Sequence, residues 1–292
     1  MLQYKRIGIT AKPTLAHLEE TVHHLLSLLQ SIGAEICVDQ EHIPCPLPEE
    51  HACSALSLKT EIDALIVIGG DGTILRAVRE WRDCRVPIIG INRGTVGFLA
   101  EIMMEEVDVL LPRLLQGDGV IEERALLSVQ VVRGAEEIFH SYALNEAVIS
   151  QGAISRLLDV RTTVGGEPLS MYHADGLIIA TPTGSTAYSL AAGGPVVHPS
   201  ISAIILTPIN PHSFNQRPIV IPGTSLVSAE VMKHNNEFAN GAVSLTIDGQ
   251  EYIQLERNDR VCVHMHGEKV RFIRRSEDTF FHTLRMKLKW GE

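Results

Sequence analysis

Ala64-Leu-Ile-Val-Ile-Gly69-Gly70-Asp71-Gly72-Thr73-Ile-Leu-Arg76 is an apolar run that stops at three glycines enclosing one acid. Ala64 to Ile68 has no polar interruption and is rich in β-branched residues, which suits a strand buried on both faces of a parallel sheet. A helical pattern from Thr73 to Trp81 follows at once. Strand, glycine turn and helix start bring backbone N–H groups and the positive end of a helix dipole to one point, and that is an anion site. Asp71 is out of place there, because a carboxylate repels the ligand those amides attract. It orients a metal-bridged phosphate, takes a proton from a hydroxyl that attacks phosphorus, or simply caps the helix at a gain of about 1 kcal/mol. A plain cap needs no glycines around it, so Gly69, Gly70 and Gly72 favour a ligand. The chain has no GxxxxGK[ST], and Leu75 stands where a GxGxxG reading from Gly70 would need glycine.

The 292 residues are 45 % hydrophobic, enough for a sizeable core and for two modest domains. A net charge of −10 and a pI near 5.7 argue against nucleic acid as a partner. Lys269, Arg271, Arg274, Arg275, Arg285, Lys287 and Lys289 form a late basic cluster, read as a solvated strand and helix face. Five cysteines, Cys37, Cys45, Cys53, Cys84 and Cys262, make an odd set without C-x-x-C, so neither a disulfide framework nor a zinc site is expected. Met1 to Thr10 enters a strand without an apolar leader, and no apolar run approaches the roughly 18 residues of a membrane span. The expectation is a soluble, cytoplasmic protein with no membrane contact.

Arg6 to Thr10 reads as a first strand, Leu15, Leu18, Val22, Leu25, Leu29 and Ile32 as the apolar face of a helix ended by Gly33, and Glu35 to Val38 as a second strand. This is a βαβ unit of a parallel sheet. Beyond Trp81, Val86 to Ile91 is a further buried strand, and Asn92-Arg-Gly94-Thr-Val-Gly97-Phe-Leu-Ala100 is a second glycine loop at a strand end. That loop is a plain connector or lines one crevice with the Asp71 turn. Glu105 to Leu115 reads as a helix. From Glu122 short strands follow at near-regular spacing up to Val270–Ile273, with helix returning at Asp278 to Leu288. The fold class predicted is α/β plus all-β: a Rossmann-like α/β domain over residues 1–122, with 276–292 packing back on it, and an antiparallel β-sandwich over 123–275.

Three polar constellations mark the second half. Asn145-Glu146 sets an amide and an acid side by side in an apolar strand. Adjacent strand residues face opposite ways, so the pair sits at a strand end or on a bulged edge. Asp175-Gly-Leu-Ile-Ile-Ala-Thr181-Pro-Thr-Gly184-Ser185-Thr186-Ala187-Tyr188-Ser189-Leu190 runs a buried strand into small hydroxyls and glycine, stopped by Gly193-Gly194. Such a loop admits a planar ring close to the main chain and offers free N–H donors. The alternative is a Ser/Thr-rich turn and cap; no GxSxG elbow supports a hydrolase. Asp248-Gly249 is foremost a type I′ hairpin pair, with Gln250 as a candidate ligand contact. His264 and His266 share a strand face but lack a third ligand for a metal.

Taken together, Gly69-Gly-Asp-Gly-Thr73, the Asn145-Glu146 pair, and Asp175 to Leu190 with Gly193-Gly-Pro195 resemble the bacterial NAD kinase family, in that order along nearly the whole chain. The resemblance implies transfer of the γ-phosphoryl of ATP, carried with Mg²⁺, to the 2′-hydroxyl of the adenosine ribose of NAD, by a homotetramer in which a neighbour completes each NAD site. It implies Asp71 as the base, Gly70 and Gly72 at the polyphosphate, and no dedicated protein cage for the metal. Asn145 and Glu146 would hold NAD, the acid on ribose hydroxyls. Asp175 and the segment Thr186, Ala187, Tyr188, Ser189, Leu190, Ala191 would lie around its two halves, with His173, Arg76, Arg156 and Gln250 as lesser contacts. His173 stands where Arg is common and Ala191 where Ser is frequent, departures that bear on affinity and pH dependence rather than on class. A lipid or sugar kinase of the wider superfamily and an idle dinucleotide sensor are the rival readings.

Overall fold

The computed structural model describes residues 1–48, 51–53, 59–81, 85–94, 97–151, 158–233, 243–276 and 280–289. The chain divides into two compact units, Met1–Glu123 with Val270–Glu292, and Arg124–Lys269.

In the first unit, strands β1 (Arg6–Ala11), β2 (Glu35–Asp39), β3 (Ala52–Cys53), β4 (Ala64–Ile68) and β5 (Ile88–Asn92) lie in the order β3-β2-β1-β4-β5. Their described pairings are parallel, with Ile9 beside Ile66 and Ile66 beside Ile89. This is the order of a dinucleotide-type sheet, whose ligands collect at the carboxyl ends of the strands. Every residue of β4 and β5 is buried, because helices on both faces of a parallel sheet leave no solvated side. The helix Leu18–Ser31 supplies Val22, Leu25 and Leu29, each fully enclosed, to the core around Ile7, Ile9 and Ile66. It begins three residues later than the apolar spacing suggests, as His17 takes φ 56°, where a helix cannot run. β6 (Ile102–Met103) also pairs with β5, and the helix Val107–Leu115 follows. Its Leu111 and Leu115 are fully buried.

Two expectations are corrected. Val270–Arg274 is not a sandwich strand; it pairs in parallel with β5 through Phe272 and Ile88 and sits next to β7 (Val120–Arg124). Of the basic cluster, Lys269, Arg271, Arg285 and Lys289 are exposed as expected, but Arg274 is buried and Arg275 half-buried. Arg274 is 6 % exposed, its Nε lies 2.7 Å from Glu101 Oε2, and Arg275 donates its backbone N–H to the same carboxylate at 2.7 Å. A buried acid near a strand end recruits cations that composition alone assigns to the surface. Likewise Cys37 and Cys53 form a disulfide joining β2 to β3, where cysteine spacing predicts none. The closing helix runs Phe280–Leu288; residues 278 and 279 lie outside the described residues.

The second unit is two six-stranded antiparallel sheets. One orders Ile219–Pro222, Ala203–Ile209, Gly176–Ala180, Glu146–Gln151, Val243–Ile247 and Glu251–Leu255; the other orders Glu167–Ala174, Leu158–Val164, Val227–Lys233, Arg260–Met265, Leu127–Arg133 and Glu136–Ala143. Ile149, Leu177, Ile179, Leu206 and Leu245 of the first meet Leu127, Val129, Val160, Val261 and Val263 of the second in one core. The alternating burial along Val243–Ile247 is the period of two expected of a half-buried strand. No described helix is long and apolar enough to cross a membrane.

Replacing Arg274 by Met should destabilise the first unit by about 3 kcal/mol, since it strips one cation from a buried carboxylate. A denaturant titration checks this, and a loss below about 1 kcal/mol would show that Arg275 alone satisfies Glu101.

Candidate functional site

At the carboxyl end of β4 the chain turns through Gly69 and Gly70 into the helix Asp71–Glu80. Gly70, not Asp71, is the helix N-cap, and no side chain caps this end. The capping reading of Asp71 therefore falls away. Its carboxylate accepts the backbone N–H of Phe98 at 2.8 Å and of Leu99 at 3.2 Å, both in the second glycine loop. That loop is more than a connector: its amides aim the acid. Gly97 makes the approach feasible, because a Cβ there would run into the Asp71 carboxylate. The carbonyls of Phe98 and Leu99 in turn accept from Arg274 Nη1, each at 3.4 Å, so the loop is braced from the Glu101 ion pair. Asp71 remains half-buried and Gly72 exposed. Arg76 is turned to the framework, donating to the Ala11 carbonyl at 2.8 Å and standing 3.8 Å from Glu80.

In the second unit the strand Glu136–Ala143 ends just before the Asn145-Glu146 pair, and Leu144 and Asn145 form the corner into Glu146–Gln151. The strand-end reading of that pair is the correct one. Asp248, on the turn after Val243–Ile247, accepts the N–H groups of Leu144, Asn145 and Glu146 at 2.8, 2.9 and 2.9 Å. From the other side Thr181 donates its N–H to the Asn145 carbonyl at 2.8 Å and its hydroxyl to that of Leu144 at 2.6 Å. Gly184 packs so tightly on Asn145 that a Cβ would strike the Asn145 backbone. Glu146 is 7 % exposed, and among the described residues its Oε2 has no hydrogen-bond partner. Burial first, and the Asp248 charge second, push its carboxyl up to about 8, against the pull of the Tyr188 N–H.

The hydroxyl-rich loop divides into framework and surface. Ser185 and Ser189 are fully enclosed; Ser185 donates to the Pro182 carbonyl at 2.6 Å, and Ser189 bonds the Thr207 hydroxyl at 2.9 Å. Their side chains thus hold the loop, and contact with a ligand there falls to main chain and neighbours. Thr186, Ala187 and Leu190 are half-buried, while Tyr188 and Ala191 are exposed. Asp175 accepts from Asn210 Nδ2 at 3.0 Å. His173 lies exposed, 2.6 Å from Asp159, with its N–H on Gln216 at 3.3 Å. Gln250 closes the hairpin turn by donating its N–H to the Ile247 carbonyl at 2.9 Å. Arg156 lies outside the described residues. Sequence reasoning missed Gly97 as the seat of Asp71, Asp248 as an anchor, and the segment from Asn210 to Gln216. Asn210 at φ 44° next to Pro211 is a turn signal that marks that segment.

A helix start rich in amides, with a carboxylate held ready beside it, suits phosphoryl transfer to a hydroxyl, and this defines the class as a phosphotransferase. Residues 7–119 match the ATP-NAD kinase N-terminal domain and residues 144–275 the ATP-NAD kinase C-terminal domain. The chain belongs to the NAD kinase family. An NAD kinase of Geobacter sulfurreducens is 38 % identical over 288 residues, covering 99 % of both chains, and one of Thiobacillus denitrificans is 35 % identical over 294 residues, covering 100 % of this chain and 99 % of its own. Among solved structures, yeast NADH kinase complexed with NADH superposes with a TM-score of 0.87 at 25 % identity, over 99 % of this chain and 88 % of that one. An NAD kinase from Archaeoglobus fulgidus in complex with ATP shares the fold, with a TM-score of 0.75 at 24 % identity over 97 % of this chain and 98 % of its own.

Two outcomes follow from this geometry. Gly97→Ala should cut kcat about 10- to 10²-fold, the cost of displacing a side chain by about an ångström in a site of this class, with the KM for NAD little changed; an unaltered kcat would show that the seat of Asp71 is immaterial. Glu146 has a folded value raised from 4.5 to about 8, so the folded state keeps a proton the unfolded chain releases, and stability falls as pH climbs from about 4.5 to about 8. Glu146→Gln should therefore melt higher than the parent at pH 8, by about 2–4 °C per kcal/mol of relief, and nearly with it at pH 4.5. Calorimetry at the two pH values checks the difference.

Proposed function

We propose that this NAD kinase uses Asp71 as the general base that accepts the proton of the adenosine-ribose 2′-hydroxyl of NAD as that oxygen attacks the γ-phosphorus of ATP. The observation that carries this reading is that the Asp71 carboxylate is oriented by the Phe98 and Leu99 amides and does not cap its helix. A bare N-cap would have no reason to be aimed by a second loop. Gly70, Gly72 and the helix start receive the polyphosphate through their amides. Asn145 and Glu146 hold NAD, Glu146 through its unpartnered Oε2 on ribose hydroxyls. Asp175 with Thr186 to Ala191 borders the two halves of the dinucleotide, and His173, Arg76, Arg156 and Gln250 make lesser contacts. The framework bonds of Arg76 support an indirect part for it.

Mg²⁺ is assigned to the donor nucleotide. The Asp71 turn offers one carboxylate and main-chain amides, and among the described residues no group of three or more His, Cys, Asp or Glu could hold a metal. That donor set fits an ion that arrives on phosphate oxygens and keeps its waters. When bound, the ion neutralises charge on the transferring phosphoryl. The acidic net charge of −10 supports small-molecule partners over nucleic acid. A homotetramer acting in the cytoplasm completes the proposal by kinship with the family.

Incubation of the protein with ATP, Mg²⁺ and NAD should yield NADP and ADP, and Asp71→Asn should lower kcat by about 10²- to 10⁴-fold. Product with a lipid or sugar but none with NAD would overturn the substrate assignment. An Asp71→Asn variant as active as the parent would overturn the base.

A further inference from the structure

The turn at Asp248 does something that a hairpin does not require. Its carboxylate leaves the turn to collect three successive backbone N–H groups, those of Leu144, Asn145 and Glu146, at 2.8 to 2.9 Å. Its own N–H is donated to the Glu146 carbonyl at 3.0 Å, closing a ring of bonds around the corner. Three amides converging on one carboxylate form an anion nest, and here the anion is a side chain 102 or more residues away along the sequence. The turn reaches that corner because Ala147 pairs with Ile247 across the two strands. Asp248 accepts φ 48° to do so, a left-handed conformation that Asp and Asn tolerate better than other side chains.

We propose that Asp248 is a positioning residue for dinucleotide recognition: by binding the amides of residues 144–146 it fixes the corner from which Asn145 and Glu146 are presented to NAD. The proposal rests on the assignment of NAD to that pair. Without the clasp the three N–H groups would turn to water or to the ligand, and the Asn145 amide and the Glu146 carboxyl would lose their common reference. Asp248 also acts on Glu146 through space. Of the elements packed against Glu146, the strands Gly176–Ala180 and Val243–Ile247 carry no titratable residue, the short helix brings Tyr188 and its N–H, and Asp248 brings the charge that, after burial, holds the Glu146 proton. The same residue therefore sets where Glu146 stands and helps keep it protonated, so that it meets a ribose hydroxyl as donor as well as acceptor.

The test is Asp248→Asn, which preserves shape and the left-handed backbone, with Asp248→Gly as a second variant that also accepts φ 48°. In steady-state assays of the full chain the KM for NAD should rise roughly 10-fold, the loss of about one good hydrogen bond, with the KM for ATP unchanged. The pH at which the KM for NAD begins to climb should move downward, because one of the two causes that hold the Glu146 proton is gone. A merely structural bond would not move that midpoint. Variants that melt with the parent and keep both its KM for NAD and its pH midpoint would overturn the proposal, and so would failure of both variants to fold, which would place Asp248 in the framework alone. Asn145→Ala is the control. If it too leaves the KM for NAD untouched, the NAD site itself is misplaced; if it raises KM while Asp248→Asn does not, only the positioning role fails.

Discussion

The bond on which the first unit depends is that from the Phe98 and Leu99 amides to the Asp71 carboxylate. An ionised acid at a helix start enjoys the dipole, but its rotamer is otherwise free. Two main-chain donors remove that freedom, and they are themselves fixed: the loop leaves β5, Glu101 returns its N–H to Gly90 at 2.9 Å, and Arg274 holds the carbonyls of the same two peptides. A buried Glu101 with two arginines is a weak way to add stability. It is an effective way to hold the Phe98 and Leu99 peptides in place, because moving Arg274 off them leaves the Glu101 charge short of a partner. Thus a strand from the far end of the chain, Val270–Arg274, governs the aim of an acid near residue 70.

The second unit solves the opposite problem. There Glu146 is buried, set beside another carboxylate, and among the described residues its Oε2 has no partner. Desolvation and like charge both oppose its ionised form. The surroundings compensate by being saturated elsewhere: Thr181, Ser185 and Ser189 are enclosed and each has a hydrogen-bond partner. A buried polar atom left without a partner inside a loop whose own hydroxyls are bonded is a candidate for contact with a ligand. Ionising Glu146 therefore costs the folded state stability.

How far the sequence could be read depended on the range of each interaction. The β4 run and the glycines after it betray strand, turn and anion site because the whole signal lies within a dozen residues. The same holds for the hydroxyl loop, where small residues cluster. Asp71 was legible as an anomaly but not as a residue aimed by another loop, since the bond spans 27 positions and Gly97 looks like any turn glycine. Asp248 was legible only as a hairpin residue; nothing local reveals that its side chain serves amides a hundred positions earlier. Val270–Ile273 read as one more sandwich strand because a short apolar strand carries no label for the sheet it joins. Arg274 misled for a related reason: charge counts report composition, and only Glu101 in space decides that this arginine is inside.

Both units therefore orient an acid through backbone amides, but with opposite sense. At Asp71 the amides bind the carboxylate itself and leave it one orientation. At Glu146 the amides of the corner are given to Asp248, and among the described residues one oxygen of the buried carboxyl is left without a partner. At Glu146 burial and the Asp248 charge hold the carboxyl towards its neutral form, while at Asp71 two amides fix where the carboxylate points. The difference between the two acids therefore lies in their surroundings, in the Phe98 and Leu99 amides on one side and in burial beside Asp248 on the other.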